Sequence, residues 1–228
     1  MTIRDLPSRS TTGEQVAELI RDQIMSGGLK RGAALREESI ANDFQVSRRT
    51  VRDALRVLED NGLVRHQRHK GSTVTDFGVA DINDMYESRR LLEVGAAQWW
   101  CEQPEDVANS RFAALEDAYD LLALMMQRGD TRRIVEADLA FHARIIGLLG
   151  SPRVDKFFST IATEMVYALA ILESSLRESE TRPDASLAEH RAIFDALATK
   201  SSPLAAELVE EHIHVNRARL VTIVTDGG

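Results

Sequence analysis

The clearest hydrophobic pattern in the chain lies between residues 44 and 62, where apolar residues repeat at helical spacing. Four of them recur at intervals that predict one buried stripe: Val51, Ala54, Leu55 and Leu58. Ser47 is a favourable N-cap for this helix, and Gly62 is a natural stop. The opposite face carries four arginines: Arg48, Arg49, Arg52 and Arg56. Cations in a first turn oppose the helix dipole, which suggests that they serve an external anion.

The elements around this helix indicate that the anion is DNA. Residues 37–44 form a short helical pattern before a three-residue turn, and two β-like runs at 63–65 and 72–75 flank a basic hairpin at 66–71. This order predicts a winged helix-turn-helix whose second helix enters the major groove, whereas a merely solvated helix face would not account for it. We expect DNA contacts from eight residues: Ser47, Arg48, Arg49, Thr50, Arg52, His69, Lys70 and Gly71.

The rest of the chain has helical periods only. An amphipathic helix over 12–26 is expected to bury one stripe: Val16, Leu19, Ile20 and Ile24. Beyond residue 78, Pro and Gly breaks leave six helices, at about 79–102, 105–127, 131–149, 153–178, 184–199 and 203–224. The predicted fold is mainly α, with a winged helix-turn-helix domain at 1–76 and an all-α six-helix antiparallel bundle at 77–228.

Charge divides at the same point. The formal net charge is −8, but residues 1–76 hold 13 Lys/Arg against 11 Asp/Glu, whereas residues 77–228 hold 15 against 25. The basic footprint is therefore local, and the acidic part is expected to face away from DNA. A single cysteine excludes an intrachain disulfide, and there is no long apolar run or signal core, so we expect a cytoplasmic protein with no membrane span.

Four polar residues of the bundle lie on apolar helix faces. Asp138 and His142 are four residues apart and share a face, and His190 and His212 each lie within an apolar stripe of their own helix. Buried charges are costly alone, so a divalent transition metal is an attractive partner: zinc first, with nickel, iron, copper or manganese as alternatives. The other interpretation is that each histidine is a hydrogen-bonded core residue and that Asp138 and His142 form a private pair.

Arg89 is a further inward-facing polar residue, on the first bundle helix. An inward arginine requires an anion. Glu93, one turn further on, could form a structural ion pair with it, or a bound carboxylate ligand could accept the two parallel hydrogen bonds of the guanidinium. The sequence leaves both possibilities open.

Residues 12–76 resemble the N-terminal domain of GntR-type transcription regulators. The resemblance rests on L-x-E-x-x-I-A at 35–41, on V-S-R-x-x-V-R-x-A-L-x-x-L-E-x-x-G-L-V at 46–64 and on G-x-x-V at 71–74. The family commonly has Pro where this chain has Thr50, and more often Thr where it has Arg49. These differences concern base preference and not the fold.

Residues 79–222 resemble the ligand-sensing domain of the FadR-like branch, and six helices look like its VanR-type subgroup. The motifs are Y-E-x-R-x-x-L-E at 86–93, D-x-x-F-H at 138–142, E-H-x-x-I-x-x-A at 189–196 and E-H at 211–212. The resemblance implies a metal on Asp138, His142, His190 and His212, with a small organic acid beside it and Arg89 as a ligand contact. The family often has Asn where this chain has Ser151.

Together these features predict a ligand-responsive DNA-binding transcription regulator that is not an enzyme. We expect a homodimeric repressor that is released from a palindromic operator by a small carboxylate bound next to the metal. Two alternatives stay open: metal-dependent hydrolase activity in the helical domain, and a regulator whose metal is purely structural.

Overall fold

A computed structural model divides the chain into two compact units, Met1–Asp76 and Phe77–Gly228. It describes residues 11–67, 71–104, 109–129, 131–173 and 183–226. None of the helices in these ranges is both long and apolar enough to cross a membrane.

The first unit is a winged helix-turn-helix, as predicted. Its elements are α1 Thr12–Met25, β1 Ala34–Leu35, α2 Glu37–Asp43, α3 Arg48–Asp60, β2 Val64–Gln67 and β3 Gly71–Val74. The three strands form an antiparallel sheet in the order β1-β3-β2, and Leu35 pairs with Ser72. The strand β1 was not predicted, because two residues are too few to show an alternating pattern.

Helix α1 corrects one detail of the predicted stripe. Leu19 is 49% exposed, whereas Ala17 is buried together with Val16, Ile20 and Ile24. Spacings of four place Val16, Ile20 and Ile24 in one line, and Leu19 lies at the edge of that line. The Thr11 side chain caps the helix in a capping box with Glu14.

Helix α3 has the cap and the buried stripe that its sequence predicts. The Ser47 hydroxyl accepts a hydrogen bond from the Thr50 amide at 3.1 Å. The four residues of the stripe are buried: Val51, Ala54, Leu55 and Leu58. The turn before it places Gln45 at φ 53°, a left-handed conformation that brings α3 round after the short helix α2.

The described residues of the second unit form helices joined by short connections, with no strand among them. Its helices are α4 Val79–Cys101, α5 Asn109–Arg128, α6 Thr131–Gly147, α7 Pro152–Glu173, α8 Pro183–Ala198 and α9 Ser202–Asp226. Helix α4 packs along α9, α5 packs on α6 and α8, and α6 also contacts α4 and α7. The apolar faces of these helices form the core, and the polar residues discussed next lie within it.

A candidate metal centre and a candidate DNA-binding surface

Three helices bring the four predicted metal-ligand residues together. Asp138 and His142 come from α6, His190 from α8 and His212 from α9. One ligand atom from each lies within 4.8 Å of all the others, about the span that a single ion with bonds of about 2 Å can serve. The three imidazoles are buried, and the Asp138 side chain keeps 23% of its surface exposed.

The distances exclude a private pair between the two residues of α6. The Asp138 carboxylate lies 4.0 Å from Nε2 of His142 but 2.8 Å from Nε2 of His190. Nε2 of His190 nevertheless makes no hydrogen bond within the described residues. Asp138 therefore faces the cluster as a whole.

Each imidazole of the cluster places its Nδ1 against an oxygen atom. The partners are Glu93 Oε2 for His142 at 2.6 Å, the Ser186 carbonyl for His190 at 2.8 Å, and Glu189 Oε2 for His212 at 3.1 Å. A carboxylate or a carbonyl only accepts, so each Nδ1 carries a proton. In the uncharged imidazole of His142, Nε2 then presents a lone pair, whereas Nε2 of His190 can donate to the Asp138 carboxylate 2.8 Å away. Partners of this kind orient the histidine ligands of metal sites.

The Nε2 atoms of His142 and His212 then face each other at a distance of 3.2 Å. When both rings are uncharged with their protons on Nδ1, neither nitrogen can donate to the other, and a donor within reach is the Asn216 amide nitrogen, 3.1 Å from Nε2 of His212. A cation beside the two nitrogens would accept both lone pairs. Three imidazole nitrogens and one carboxylate are a donor set that suits a divalent transition metal.

The protonation states of His142 and Asp138 agree with such a role. Burial lowers the pKa of His142 to about 4; the Arg89 guanidinium acts in the same direction and the Glu93 carboxylate against it. Burial alone raises the pKa of Asp138, but the neighbouring histidines outweigh it and the net pKa is lowered. Near neutral pH His142 is therefore uncharged and Asp138 is ionised, the forms that bind a metal. Burial lowers the pKa of His190, but the hydrogen bond and charge of Asp138 outweigh it and the net pKa is raised, so a metal would have to displace a proton there.

Arg89 forms a buried ion pair with Glu93. Nε of Arg89 lies 2.8 Å from Glu93 Oε1, and the two side chains are 2% and 0% exposed. Burial raises the pKa of Glu93, but the opposing effects of Arg89 and His142 are larger and bring the pKa down to about 2. The carboxylate is therefore ionised. Nη2 of Arg89 is buried with no hydrogen-bond partner among the described residues. Nε of the Arg89 guanidinium is thus paired with Glu93, whereas Nη2 has no partner among the described residues.

Glu93 connects Arg89 to the cluster of Asp138 and the three histidines through its two oxygens. Its Oε1 accepts from Arg89 and its Oε2 accepts from His142, 49 residues away in sequence. The sequence suggested Glu93 only as a partner of Arg89. Three further polar residues of the site were also missed: Ser186, Glu189 and Asn216, whose amide nitrogen lies 3.1 Å from Nε2 of His212.

Replacing Glu93 with glutamine is expected to weaken metal binding about 10–100-fold, although Glu93 is not a ligand. The glutamine has one acceptor oxygen for two donors, so either Arg89 or His142 loses its partner. Competition against a chromophoric zinc chelator measures the change. Glu189→Gln is the matched control, because Glu189 is 40% exposed and water can replace it. A loss in Glu189→Gln as large as in Glu93→Gln would contradict this explanation.

Helical phase separates two histidines of α9. His212 is buried and His214 is exposed, as the stripe predicts. We expect His212→Ala to lower the zinc content of the purified protein sharply and His214→Ala to leave it unchanged. Elemental analysis after dialysis measures both. Equal zinc content in the two variants would show that His212 is not a ligand.

The predicted DNA-contacting side chains form an exposed face on α3. Arg48, Arg49 and Arg52 are exposed. Thr50 is half-buried, and its Oγ1 lies 2.8 Å from Oγ of Ser47. Gly71 begins β3 at φ 82°, a conformation that favours glycine. The predicted contacts His69 and Lys70 lie outside the described residues.

Comparisons with known proteins agree on one family. Residues 12–74 match the gntR family of bacterial regulatory proteins, and residues 84–215 match the FCD domain. The gluconate operon transcriptional repressor of Bacillus subtilis is 26% identical over 90% of this chain and 83% of its own length. The galactonate operon transcriptional repressor of Escherichia coli is 23% identical over 92% and 97%.

A solved structure of a GntR transcriptional regulator from Rhodococcus sp. RHA1 has a TM-score of 0.75 at 25% identity, covering 93% of this chain and 99% of its own. None of these matches distinguishes a subgroup, so the VanR-type assignment stays a prediction. Regulators of this kind are not enzymes, which sets aside the hydrolase alternative. The chain belongs to the GntR family of DNA-binding transcription regulators and carries an FCD domain.

Proposed function

We propose that this protein is a metal-containing repressor that leaves its operator when a small carboxylate binds beside the metal. Residues 1–76 bind DNA, and residues 77–228 dimerise and bind the effector. Two full-length relatives named as operon repressors support the sign of regulation. A homodimer suits a palindromic operator, because a symmetric dimer reads a symmetric site.

The metal is held by Asp138, His142, His190 and His212. The observation that carries this assignment is the convergence of four ligand atoms within 4.8 Å of one another, three of them on buried imidazoles. Zinc suits three imidazoles and a carboxylate, and nickel, iron and manganese are the alternatives. When bound, the ion supplies a positive charge that attracts an anionic effector.

The unpaired nitrogen of Arg89 supports a carboxylate as the effector. A buried guanidinium N–H without an acceptor is costly, and a carboxylate oxygen is a strong acceptor for it. Glu93 occupies the Nε edge and leaves Nη2 available. Gluconate and galactonate are reasonable first candidates, because the two repressors above are named for operons of these sugar acids.

The effector acts on DNA affinity through the start of α4. This helix begins at Val79, directly after the residues that join it to the DNA-binding unit, and it carries both Arg89 and Glu93. An effector changes operator affinity only through its differential affinity for the two states of the protein. Coupling of this kind typically amounts to about 5–150-fold in affinity.

The test is operator binding by the zinc-loaded protein with and without each of a panel of small carboxylates. Arg89→Lys is the informative variant, because a lysine can pair with Glu93 but lacks a second nitrogen. We expect one carboxylate to release the parent protein from DNA, and Arg89→Lys to need at least tenfold more of it. If the same concentration of the carboxylate releases the parent protein and Arg89→Lys from DNA, Arg89 does not bind the carboxylate.

The existing Arg89–Glu93 pair favours a second candidate, a regulator whose metal only stabilises the fold. In that case calorimetric titration of the zinc-loaded protein with the same carboxylates gives no binding heat. Removal of zinc would then lower stability, and operator binding would not respond to any of the carboxylates with or without zinc.

A further inference from the structure

Two arginines of α3, the predicted recognition helix, form ion pairs with acidic residues of α2. Nε of Arg52 on α3 lies 2.8 Å from Glu37 Oε2 on α2, and Nη2 of Arg48 lies 2.6 Å from Glu38 Oε1. A carboxylate near DNA repels phosphate and lowers affinity for every sequence. Two such residues beside two candidate DNA-contacting arginines therefore require an explanation.

The two ion pairs use different edges of the guanidinium. Glu37 binds Arg52 through Nε and not through the two terminal nitrogens, which are the atoms that make an end-on bidentate contact with a base. Glu38 binds Arg48 through the terminal nitrogen Nη2, an atom that a base or phosphate contact would use. The first pair directs an arginine, and the second competes with the DNA for one.

Glu37 and Glu38 also differ in how far their side chains are exposed to solvent. Glu37 is 33% exposed and Glu38 is 74% exposed, so Glu37 is the better anchored of the two. Both lie in the first turn of α2, where the helix dipole stabilises a carboxylate. Arg52 is 67% exposed, and a free arginine there would lose much rotamer freedom on binding.

We propose that Glu37 is a positioning residue for operator specificity, which fixes Arg52 so that its terminal nitrogens can read a base. Glu37 itself does not touch DNA. The proposal rests on the DNA-contacting role proposed above for Arg52. Its consequence is that Glu37 lowers affinity for all DNA slightly and raises discrimination between sequences.

The probe is a duplex selected from a random-sequence pool with the parent protein, compared with a scrambled duplex of the same composition. Fluorescence anisotropy gives both affinities at one salt concentration, and their ratio is the specificity. Glu37→Gln is expected to bind the scrambled duplex at least as tightly as the parent does. Its specificity ratio should fall roughly tenfold, a loss within the range of discrimination that one bidentate base contact supplies.

Three further variants separate positioning from charge. Glu37→Asp keeps the charge but shortens the side chain, and its ratio should fall as in Glu37→Gln. Glu38→Gln removes the same charge from the neighbouring position and should strengthen binding to both duplexes without changing the ratio. When Arg52 is already replaced with alanine, the additional change Glu37→Gln should not lower the specificity ratio any further.

The outcomes distinguish the failure of each step. An unchanged ratio in both Glu37 variants would overturn the proposal, with Glu37 then acting only by its charge. A further loss in the Arg52→Ala background would show that Glu37 does not act through Arg52. An unchanged ratio in Arg52→Ala alone would refute a base contact of Arg52, because a phosphate contact weakens binding to both duplexes alike. Circular dichroism of each variant confirms that the fold is retained.

Discussion

Replacing Arg89 with alanine is expected to lower the free energy of unfolding of the helical unit by about 3–5 kcal/mol. The substitution leaves the Glu93 carboxylate buried at 0% exposure with His142 as its remaining partner. Such a charge is far more expensive in the interior than the ion pair was. Urea unfolding followed by tryptophan fluorescence measures the change, since both tryptophans, Trp99 and Trp100, belong to α4.

The double variant Arg89→Met/Glu93→Gln is the control for this effect. It removes both charges and keeps one amide oxygen as an acceptor for His142. Because a buried ion pair can often be replaced by neutral groups of similar volume without loss, the double variant should be more stable than Arg89→Ala. If Arg89→Ala costs less than about 1 kcal/mol, well below the usual value for such a pair, Arg89 is not a structural partner of Glu93.

Zinc at about 1,000 times its dissociation constant is expected to stabilise the metal-depleted protein by about 4 kcal/mol, because it binds the folded state and not the unfolded chain. For a chain of this length that corresponds to a rise in Tm of roughly 8–16 °C. Differential scanning calorimetry at several zinc concentrations measures the shift and its dependence on concentration.

Magnesium is the matched control, since it prefers oxygen ligands and an octahedral shell that three imidazoles do not supply. It should leave Tm unchanged, and His190→Ala should lose most of the zinc-dependent shift. A shift of the same size with magnesium, or one that survives in His190→Ala, would contradict a transition-metal site at this cluster.

Periodicity in the sequence predicted which side chains turn inward. The repeat of the α-helix is local, so it selects His212 over His214 without knowledge of the rest of the fold. It is less decisive at the edge of a stripe, where Leu19 was expected inside and is exposed. The winged helix-turn-helix was predictable because its elements follow each other within a few residues.

The partners of those side chains were not predictable in the same way. Glu93 reaches His142 across 49 residues, and Glu189 reaches His212 across 23. Such pairs depend on how helices pack, which no single helix encodes. The choice between two partners of Arg89 also needed coordinates, because only they show that Nε is paired while Nη2 is not.

The origin of the four cluster residues on three separate helices has a consequence for how the protein opens. Without an ion, α6, α8 and α9 can fray one at a time, and amide hydrogens of each exchange at a rate set by its own local opening. An ion shared among them makes those openings cooperative, because none of the three helices can leave without breaking a metal–ligand bond. On addition of zinc, amide exchange in these three helices is then expected to slow together, to an extent that depends on the zinc concentration.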